Sequence, residues 1–512
     1  MAKTVLQYSN FGIKYKNMEF RTRFITEEDK EKIRLAVQLH TPVEVMSYTL
    51  PREMETYIQE VLLYFLEASH QEHMVDNLVF CLGELLTNAK KANTKRVYFT
   101  EQKLDINSDM DYHTGMISFK NDMLNNLAHY LKLQKDAGLY VKFKIQLYDE
   151  GIKIEIINNS VLTIFEKKRI NEKLKVANKY NEPSQVISRV VDQTEGAGLG
   201  IIIMVLMLQK IGLSKENFKI YSTDTETITQ MILPLNAKIN KEMDSLYEQF
   251  TEVLDTVPVF EESIKEYSEL AQKADTKDQQ LIDFISKDVL MATVLLKSAA
   301  AKGLSCSKIT EAYKALGKAE VNALFSKDSP SSVIRLIQKE KRSSSFWQHE
   351  KDVAFYAYNL AKNLPQVTCD FEEIYTCGLL HDIECLLLEV ATEEQKASVK
   401  KIADTIEDGD KLYDLFLKDF GHSRGCYMLA QKWGLPERIA QVIRYHNKPE
   451  TAPEEIKELI YVVYLADILQ YYQLGQVEFY QLNKTVLDYF KIDSKKALDY
   501  IAGQLKNAGN SN

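Results

Sequence analysis

Cysteine is scarce in this sequence, and its six cysteines include no C-x-x-C pair. Several of them lie in apolar helical patterns, as buried reduced thiols do. The longest uncharged apolar run extends from residue 196 to 208, which is too short to span a membrane. The first ten residues lack the apolar core of a secretion signal. These absences predict a cytoplasmic protein with reduced thiols and no membrane span.

The sequence also lacks an excess of positive charge. It has 64 lysine and arginine residues against 73 aspartate and glutamate residues, which gives a formal net charge of −9. This balance provides no electrostatic attraction for nucleic acid, so we expect no nucleic-acid partner. With 45% hydrophobic residues in 512, the chain has enough apolar side chains for several domain cores.

The predicted helix at residues 74–93 carries an acidic and an amide side chain on one face. Glu84 and Asn88 are four positions apart, so both point to the same side of a helix. A carboxylate can polarise a water molecule, and an amide oxygen suits Mg2+, which prefers oxygen ligands. The pair indicates a binding site, although an ordinary helix end with surface polar residues has the same pattern.

A glycine-rich turn precedes a second apolar segment at residues 201–208. Gly196, Gly198 and Gly200 alternate with other residues, which leaves backbone N–H groups uncovered. A helix N-terminus adds positive potential at such a turn, so the segment favours the binding of phosphate.

Together, the acid–amide helix and the glycine turn resemble the N box and the second glycine box of GHKL ATPases, the superfamily that includes histidine kinase catalytic domains. The resemblance implies that the N-terminal half binds ATP with Mg2+. Glu84 would be the general base, and Asn88 would hold the Mg2+. The other implied nucleotide contacts are Lys91, Asn158, Gly196, Gly198, Gly200 and Thr227.

The strand end at residue 158 departs from that family. GHKL proteins usually have an Asp-x-Gly-x-Gly box there, whereas this chain has Asn158, Ser160 and Leu162 at the corresponding positions. The Asn158 carbonyl can still accept a hydrogen bond from an adenine amino group. A charged acceptor would bind that group more strongly.

These patterns predict an α/β sandwich of the Bergerat/GHKL type over residues 1–237, in which helices cover one face of a mixed sheet. Residues 103–138 are an expected insertion, with a helix at 119–133. Residues 238–254 are expected to form a helical connector. The predicted strands are a hairpin within 5–24 and segments at 43–48, 96–100, 140–147, 152–157, 218–222 and 227–233.

From residue 255 to 512, the sequence predicts an all-α half. It contains four histidines and two acidic residues in helical settings: His349, His381, Asp382, His422, His446 and Asp467. Imidazoles and carboxylates on separate helices are the usual ligands of a metal centre in a helical bundle. Histidines that only bond helix ends in a packed core would give the same pattern.

This half resembles the HD superfamily of metal-dependent phosphohydrolases and, more closely, the HDOD family of non-hydrolytic signalling modules. The resemblance rests on residues 285–297, on the turn at 312–317 and on Lys432-Trp-Gly-Leu-Pro436. It implies that all six residues are candidate ligands of a divalent transition metal in an HD core at residues 345–470. The usual His-Asp-x-Gly-Lys reads His381-Asp-Ile-Glu-Cys385, so the glycine and the lysine are replaced.

Three functions remain open from the sequence. The first is a signalling protein in which an ATP-binding module, acting as an ATPase or serine kinase, is coupled to an HDOD output module. That module would contact other signalling proteins, and the protein could form a homodimer. The second is a metal-dependent phosphohydrolase regulated by the N-terminal half, and the third is a scaffold in which both pockets are vestigial.

Overall fold

The computed structural model of the chain describes residues 25–69, 71, 74–148, 151–177, 202, 204–205, 207–208, 217–234, 237–326, 329, 333–338, 344–406, 409–417 and 422–509. The chain divides into two compact units, residues 1–235 and residues 236–512. The predicted hairpin at 5–24 and the glycine turn at 194–200 lie outside the described residues. Within the described part, no helix is long and apolar enough to cross a bilayer.

Unit 1 combines helices with a sheet. Its described helices are α1 (Glu27–Gln38), α2 (Arg52–Ala68), α3 (Val75–Glu101), α4 (Asp109–Asn125), α5 (Leu127–Asp136) and α6 (Ile164–Ala177). Its described strands are β1 (Val43–Ser47), β2 (Val141–Tyr148), β3 (Gly151–Asn158), β4 (Phe218–Ser222) and β5 (Thr227–Pro234). The strands predicted at 43–48, 140–147, 152–157, 218–222 and 227–233 are therefore confirmed.

Among the described residues, the five strands form one sheet in the order β1-β2-β3-β5-β4. Every neighbouring pair is antiparallel, so the prediction of a mixed sheet was wrong. The reason is that β5, the second strand of the closing hairpin, lies next to β3. Along β2 the side chains alternate between buried and half-buried, which is the pattern of a sheet with one face on a core.

Helix α3 is longer than expected, and the prediction of a strand at residues 96–100 was wrong. The helix runs on to Glu101 because its last turns have a core of their own. Val97, Tyr98 and Phe99 are buried against Tyr112 and Tyr130 of the insertion. Tertiary packing therefore overrides the β-propensity of this Val-Tyr-Phe segment.

The insertion at 103–138 forms two helices, α4 and α5, and covers the end of α3. Ser108 caps α4 by accepting from the backbone N–H of Asp111. The Tyr98 hydroxyl, which comes from α3, lies 2.7 Å from Ser118 Oγ and donates to Asp122 Oδ2 at 2.9 Å. The insertion thus extends the core of unit 1.

Unit 2 is almost entirely helical in its described part. Its helices are α7 (Ala237–Val253), α8 (Glu261–Ala271), α9 (Asp278–Ser286), α10 (Val289–Ala301), α11 (Ile309–Leu316), α12 (Lys318–Leu324), α13 (Ser344–Asn363), α14 (Phe371–Leu380), α15 (Ile383–Val390), α16 (Glu393–Ala403), α17 (Gly409–Leu417), α18 (His422–Lys432), α19 (Glu437–Tyr445), α20 (Lys457–Gln473), α21 (Lys484–Tyr489) and α22 (Lys495–Gly509). Short 3-10 helices lie at Pro449–Thr451 and Phe479–Gln481.

Two short strands correct the all-α prediction for this half. Strand β6 (Val257–Phe260) pairs in parallel with β7 (Ile334–Ile337). Each strand has four residues, and the two are far apart in the chain, so local periodicity does not reveal the pair.

The helix at the start of unit 2 is packed into that unit. Tyr247 and Phe250 of α7 are buried, and both rings contact Phe416 of α17. The Trp433 indole donates to the carbonyl of Leu254, just after α7, at 3.1 Å. Helix α7 is thus part of the second core.

Candidate metal centre

Four helices of unit 2 bring a cluster of histidines and acids together. Helix α13 supplies His349 near its start, and α20 supplies Asp467 from its middle. Helices α14 and α19 each end at a histidine, since His381 and His446 are their C-cap residues. Asp382 follows His381 directly and lies between α14 and α15.

The two helix ends orient their histidines in the same way. His381 Nδ1 lies 2.8 Å from the carbonyl oxygen of Gly378, and His446 Nδ1 lies 2.8 Å from that of Ile443. A carbonyl can only accept, so each Nδ1 must carry the hydrogen. In the neutral imidazole, Nε2 then keeps its lone pair. The last turns of α14 and α19 thus set both rings for ligation through Nε2.

The Nε2 atoms and the carboxylate oxygens face one another. His349 Nε2 is 3.2 Å from Asp467 Oδ1, and His446 Nε2 is 3.0 Å from Asp382 Oδ1. His381 Nε2 lies between them, 3.6 Å from Asp382 Oδ2 and 3.8 Å from Asp467 Oδ1. One ligand atom each from His349, His381 and Asp382 falls within a span of 4.8 Å, which is compact enough to hold a metal ion.

The cluster is deeply buried and strongly charged. His381 and His446 are 0% exposed, and Asp467 is 3% exposed. Burial alone lowers the pKa of His381, but the carboxylates of Glu350, Asp382 and Asp467 outweigh it and raise that pKa well above its usual value. Burial likewise lowers the pKa of His349, and the contact with Asp467 raises it overall.

One polar atom of the cluster, His381 Nε2, lacks a hydrogen bond in the described part of the chain. Such atoms are costly in a protein interior, at about 1–3 kcal/mol each. Imidazole nitrogen and carboxylate oxygen are also the ligands that divalent transition metals prefer. The donor set therefore fits a metal ion.

The sequence predicted most of this cluster and missed one member. The structure brings together His349, His381, Asp382, His446 and Asp467; His422 begins α18, and its side chain lies outside the described residues. The missed member is Glu350, which is 0% exposed and places its carboxylate 3.0 Å from His381 Nδ1. Its position directly after a candidate ligand was the available signal.

In unit 1, the predicted nucleotide residues lie on α3, β3 and β5. Glu84 and Asn88 are half-buried on α3, while Lys91 is exposed. Cys81, one turn before Glu84, places its Sγ 3.9 Å from the carbonyl oxygen of Met204. The segment that follows the glycine turn thus packs against α3.

Asn158, at the end of β3, belongs to a buried polar network. Its Nδ2 donates to Asn93 Oδ1 at 3.2 Å and to Ser160 Oγ at 2.6 Å. Asn93 Nδ2 in turn donates to the carbonyl of Tyr140, which fixes the orientation of that amide. Thr227 Oγ1 donates to the carbonyl of Ser160 at 2.5 Å. The network ties the ends of β3 and β5 to α3.

Comparison with known proteins places unit 2 in a family. The family model described as "HDOD domain" matches residues 257–449, which confirms the predicted HDOD resemblance. Over 484 residues, the chain is 34% identical to a protein of Treponema pallidum (strain Nichols) named only as an uncharacterized protein, and the match covers 94% of each chain.

Solved structures that match part of the chain include the MmoQ response regulator of Methylococcus capsulatus and an HDOD domain protein of Geobacter sulfurreducens. The first is 18% identical with a TM-score of 0.36, over 49% of this chain and 99% of that one. The second is also 18% identical with a TM-score of 0.28, over 53% of this chain and 96% of that one. On the strength of the family match and of the Treponema pallidum relative, the chain carries an HDOD domain at residues 257–449 and belongs to the same family as that protein.

Proposed function

We propose that this protein is a signalling protein whose HDOD domain binds a divalent transition metal and contacts other signalling proteins. The ligands would be His349, His381, Asp382 and Asp467, with His446 against Asp382. The observation that carries this proposal is the compact set of ligand atoms from His349, His381 and Asp382. In this buried site, His349 Nε2 faces the Asp467 carboxylate and His381 Nε2 faces the Asp382 carboxylate.

Signalling is favoured over hydrolysis by the residues that follow the His-Asp pair. The glycine and the phosphate-contacting lysine of the catalytic motif are replaced by Glu384 and Cys385. A bound metal can act as a Lewis acid toward phosphate esters. Without that lysine, the transferred phosphoryl group would lose a cationic contact, so we expect the centre to bind metal without efficient turnover.

Metal titration of the full-length protein tests the proposal. After treatment with a chelator, Mn2+, Zn2+ and Fe2+ are added in turn, and binding is followed by calorimetry and by thermal unfolding. At about a hundred times its dissociation constant, a ligand of the folded state should stabilise the protein by about 2.7 kcal/mol. Asp467→Asn should weaken binding strongly, because it removes one of the negative charges.

A matched control is His129→Gln in unit 1, where the imidazole is half-exposed and pairs with Glu101. This variant should bind metal as the wild type does. A folded wild type that binds none of the three metals would overturn the proposal. The same conclusion would follow if Asp467→Asn bound them with unchanged affinity.

A GHKL-type nucleotide site in unit 1 is the second part of the proposed function. It is supported by the proximity of Cys81 to Met204 and by the bond between Asn158 and Asn93. These contacts join α3 to the segment after the glycine turn and to the end of β3. Mg-ATP should then raise the unfolding temperature of the protein. A Glu84→Ala variant should still bind ATP but fail to hydrolyse it.

The alternative that specific residues favour is a metal-dependent phosphohydrolase, because the full His and Asp set is present. Assays of the metal-loaded protein with a phosphomonoester and a cyclic dinucleotide separate the two functions. Turnover that is lost in Asp467→Asn and kept in His129→Gln would establish hydrolysis.

A further inference from the structure

Glu350 is a buried acid that the proposed ligand set does not include. It follows His349 on α13 and is 0% exposed. Its Oε2 lies 3.0 Å from His381 Nδ1.

A carboxylate is a costly side chain for such a position. Removing one from water costs several kcal/mol unless a partner compensates for it. The helix end does not require it, because the Gly378 carbonyl already accepts from His381 Nδ1. An apolar side chain at position 350 would fill the same core at a lower cost. The acid therefore has a purpose beyond packing.

The arrangement around His381 indicates that purpose. On one side of the ring, Nδ1 faces two acceptors, the Gly378 carbonyl and the Glu350 carboxylate. On the other side, Nε2 faces Asp382 and Asp467. A carboxylate behind a ligating imidazole fixes its tautomer and its orientation and raises its basicity as a ligand.

We propose that Glu350 is a positioning residue of the metal centre. It holds His381 with Nε2 directed at the ion and adds a negative charge that strengthens the binding of a divalent cation. The inference rests on the proposed metal site, and it assigns to this chain a contributor outside the set of direct ligands.

The test uses the full-length protein and the metals alone. Glu350→Gln keeps the shape of the side chain and removes its charge, so Zn2+ and Mn2+ should bind about 10- to 100-fold more weakly. Glu350→Asp keeps the charge at a slightly greater distance and should recover part of the affinity. The nitrogen-15 shifts of the His381 ring should show metal-bound Nε2 in the wild type and a smaller metal-induced shift in Glu350→Gln.

Glu373→Gln is the control for a lost buried carboxylate. Glu373 lies on α14, and its carboxylate accepts two hydrogen bonds from the Arg438 guanidinium, at 2.8 and 3.0 Å. Neither residue of this pair is one of the proposed metal ligands. This variant should bind metal as the wild type does, while urea unfolding with chelator present reports its stability. If Glu350→Gln and Glu373→Gln weaken the metal affinity equally, the inference is overturned, because the loss then follows from general destabilisation of the protein.

Two other results have distinct meanings. If the wild type binds metal and Glu350→Gln binds it equally well, the role of Glu350 is refuted while the metal site stands. If the folded wild type binds neither metal, the metal site and the inference both fail. Should Glu350→Gln not fold, the affinity of Glu350→Asp relative to the wild type decides, and no loss in that variant refutes the role.

Discussion

Glu166 ties helix α6 to the end of α3 in unit 1, and its removal should be costly. Its carboxylate accepts from Lys95 Nζ at 2.8 Å and from Arg96 at 2.8 and 2.5 Å. It also accepts from the backbone N–H of Thr163, which caps α6. The Glu166 side chain is 10% exposed, so water screens these interactions weakly.

The pKa of Glu166 measures how strongly this group is held. Burial raises the pKa, but the hydrogen bond with Arg96 and the charges of Lys95 and Arg96 outweigh it and lower the pKa to about 2. Because the folded-state pKa lies below the unfolded value, the ionised carboxylate stabilises the fold at neutral pH. The difference corresponds to about 3 kcal/mol at pH 7, and about half of this remains at pH 3. The stability is lost as the pH falls from about 4.5 toward 2.

Glu166→Gln should therefore destabilise unit 1 by about 2–3 kcal/mol at pH 7, and by less at pH 3. Both tryptophans of the chain, Trp347 and Trp433, lie in unit 2, so their fluorescence does not follow this change. Hydrogen exchange of peptides from β3, measured in increasing urea, gives the stability of unit 1. Glu172→Gln, an exposed change on the same helix, is the control and should alter stability by less than about 0.5 kcal/mol.

Either of two results would refute this role of Glu166. One is a Glu166→Gln protein that loses no more stability than Glu172→Gln at pH 7. The other is a loss that is equal at pH 7 and pH 3, since protonation of the carboxyl in the unfolded state should already remove about half of its contribution at pH 3. Unit 2 peptides provide the internal reference, because their exchange should be unchanged.

Two further changes test unit 2. Trp433→Phe removes the hydrogen bond to the Leu254 carbonyl and should lower the free energy of unfolding by about 1–3 kcal/mol. The fluorescence of the remaining tryptophan should then show a lower urea midpoint, and an unchanged midpoint would contradict this. Gly378→Ala would place a Cβ 3.0 Å from Ala354 Cα, between α14 and α13, and should cost about 1–3 kcal/mol and weaken metal binding. Calorimetric titration of a folded Gly378→Ala protein with wild-type affinity would show that the helices tolerate the separation.

The sequence predicts the sheet of unit 1 well, because alternation marks its strands directly. The main error of the prediction was the strand at 96–100. It arose because a polar residue, Asn93, stands in the helical pattern of apolar residues just before that segment. The buried positions Leu82, Leu86, Ala89, Asn93 and Val97 follow one helical face. Asn93 interrupts the apolar pattern, yet it is buried because its amide bonds the Tyr140 carbonyl and the amide of Asn158. Only the tertiary contacts supply those partners.

In unit 2, the candidate ligands could be found because histidine is rare in the chain, with nine in total. Their convergence could not be found from spacing, since it depends on how α13, α14, α19 and α20 pack. Glu350 was missed for a related reason. A glutamate inside a helix is usually solvated, and its burial is set by the neighbouring helices rather than by its own segment.

The ring nitrogens of these histidines distinguish a packing role from metal binding. A histidine kept for packing alone should have both ring nitrogens satisfied. His381 has Nδ1 satisfied by the last turn of its helix, while its Nε2 has no hydrogen bond among the described residues. That nitrogen faces the carboxylate of Asp467, which also lies 3.2 Å from His349 Nε2. A helix C-terminus also carries partial negative charge, so α14 directs its own field at the same point. Donors, charge and helix ends all favour a cation there, and packing alone does not account for that agreement.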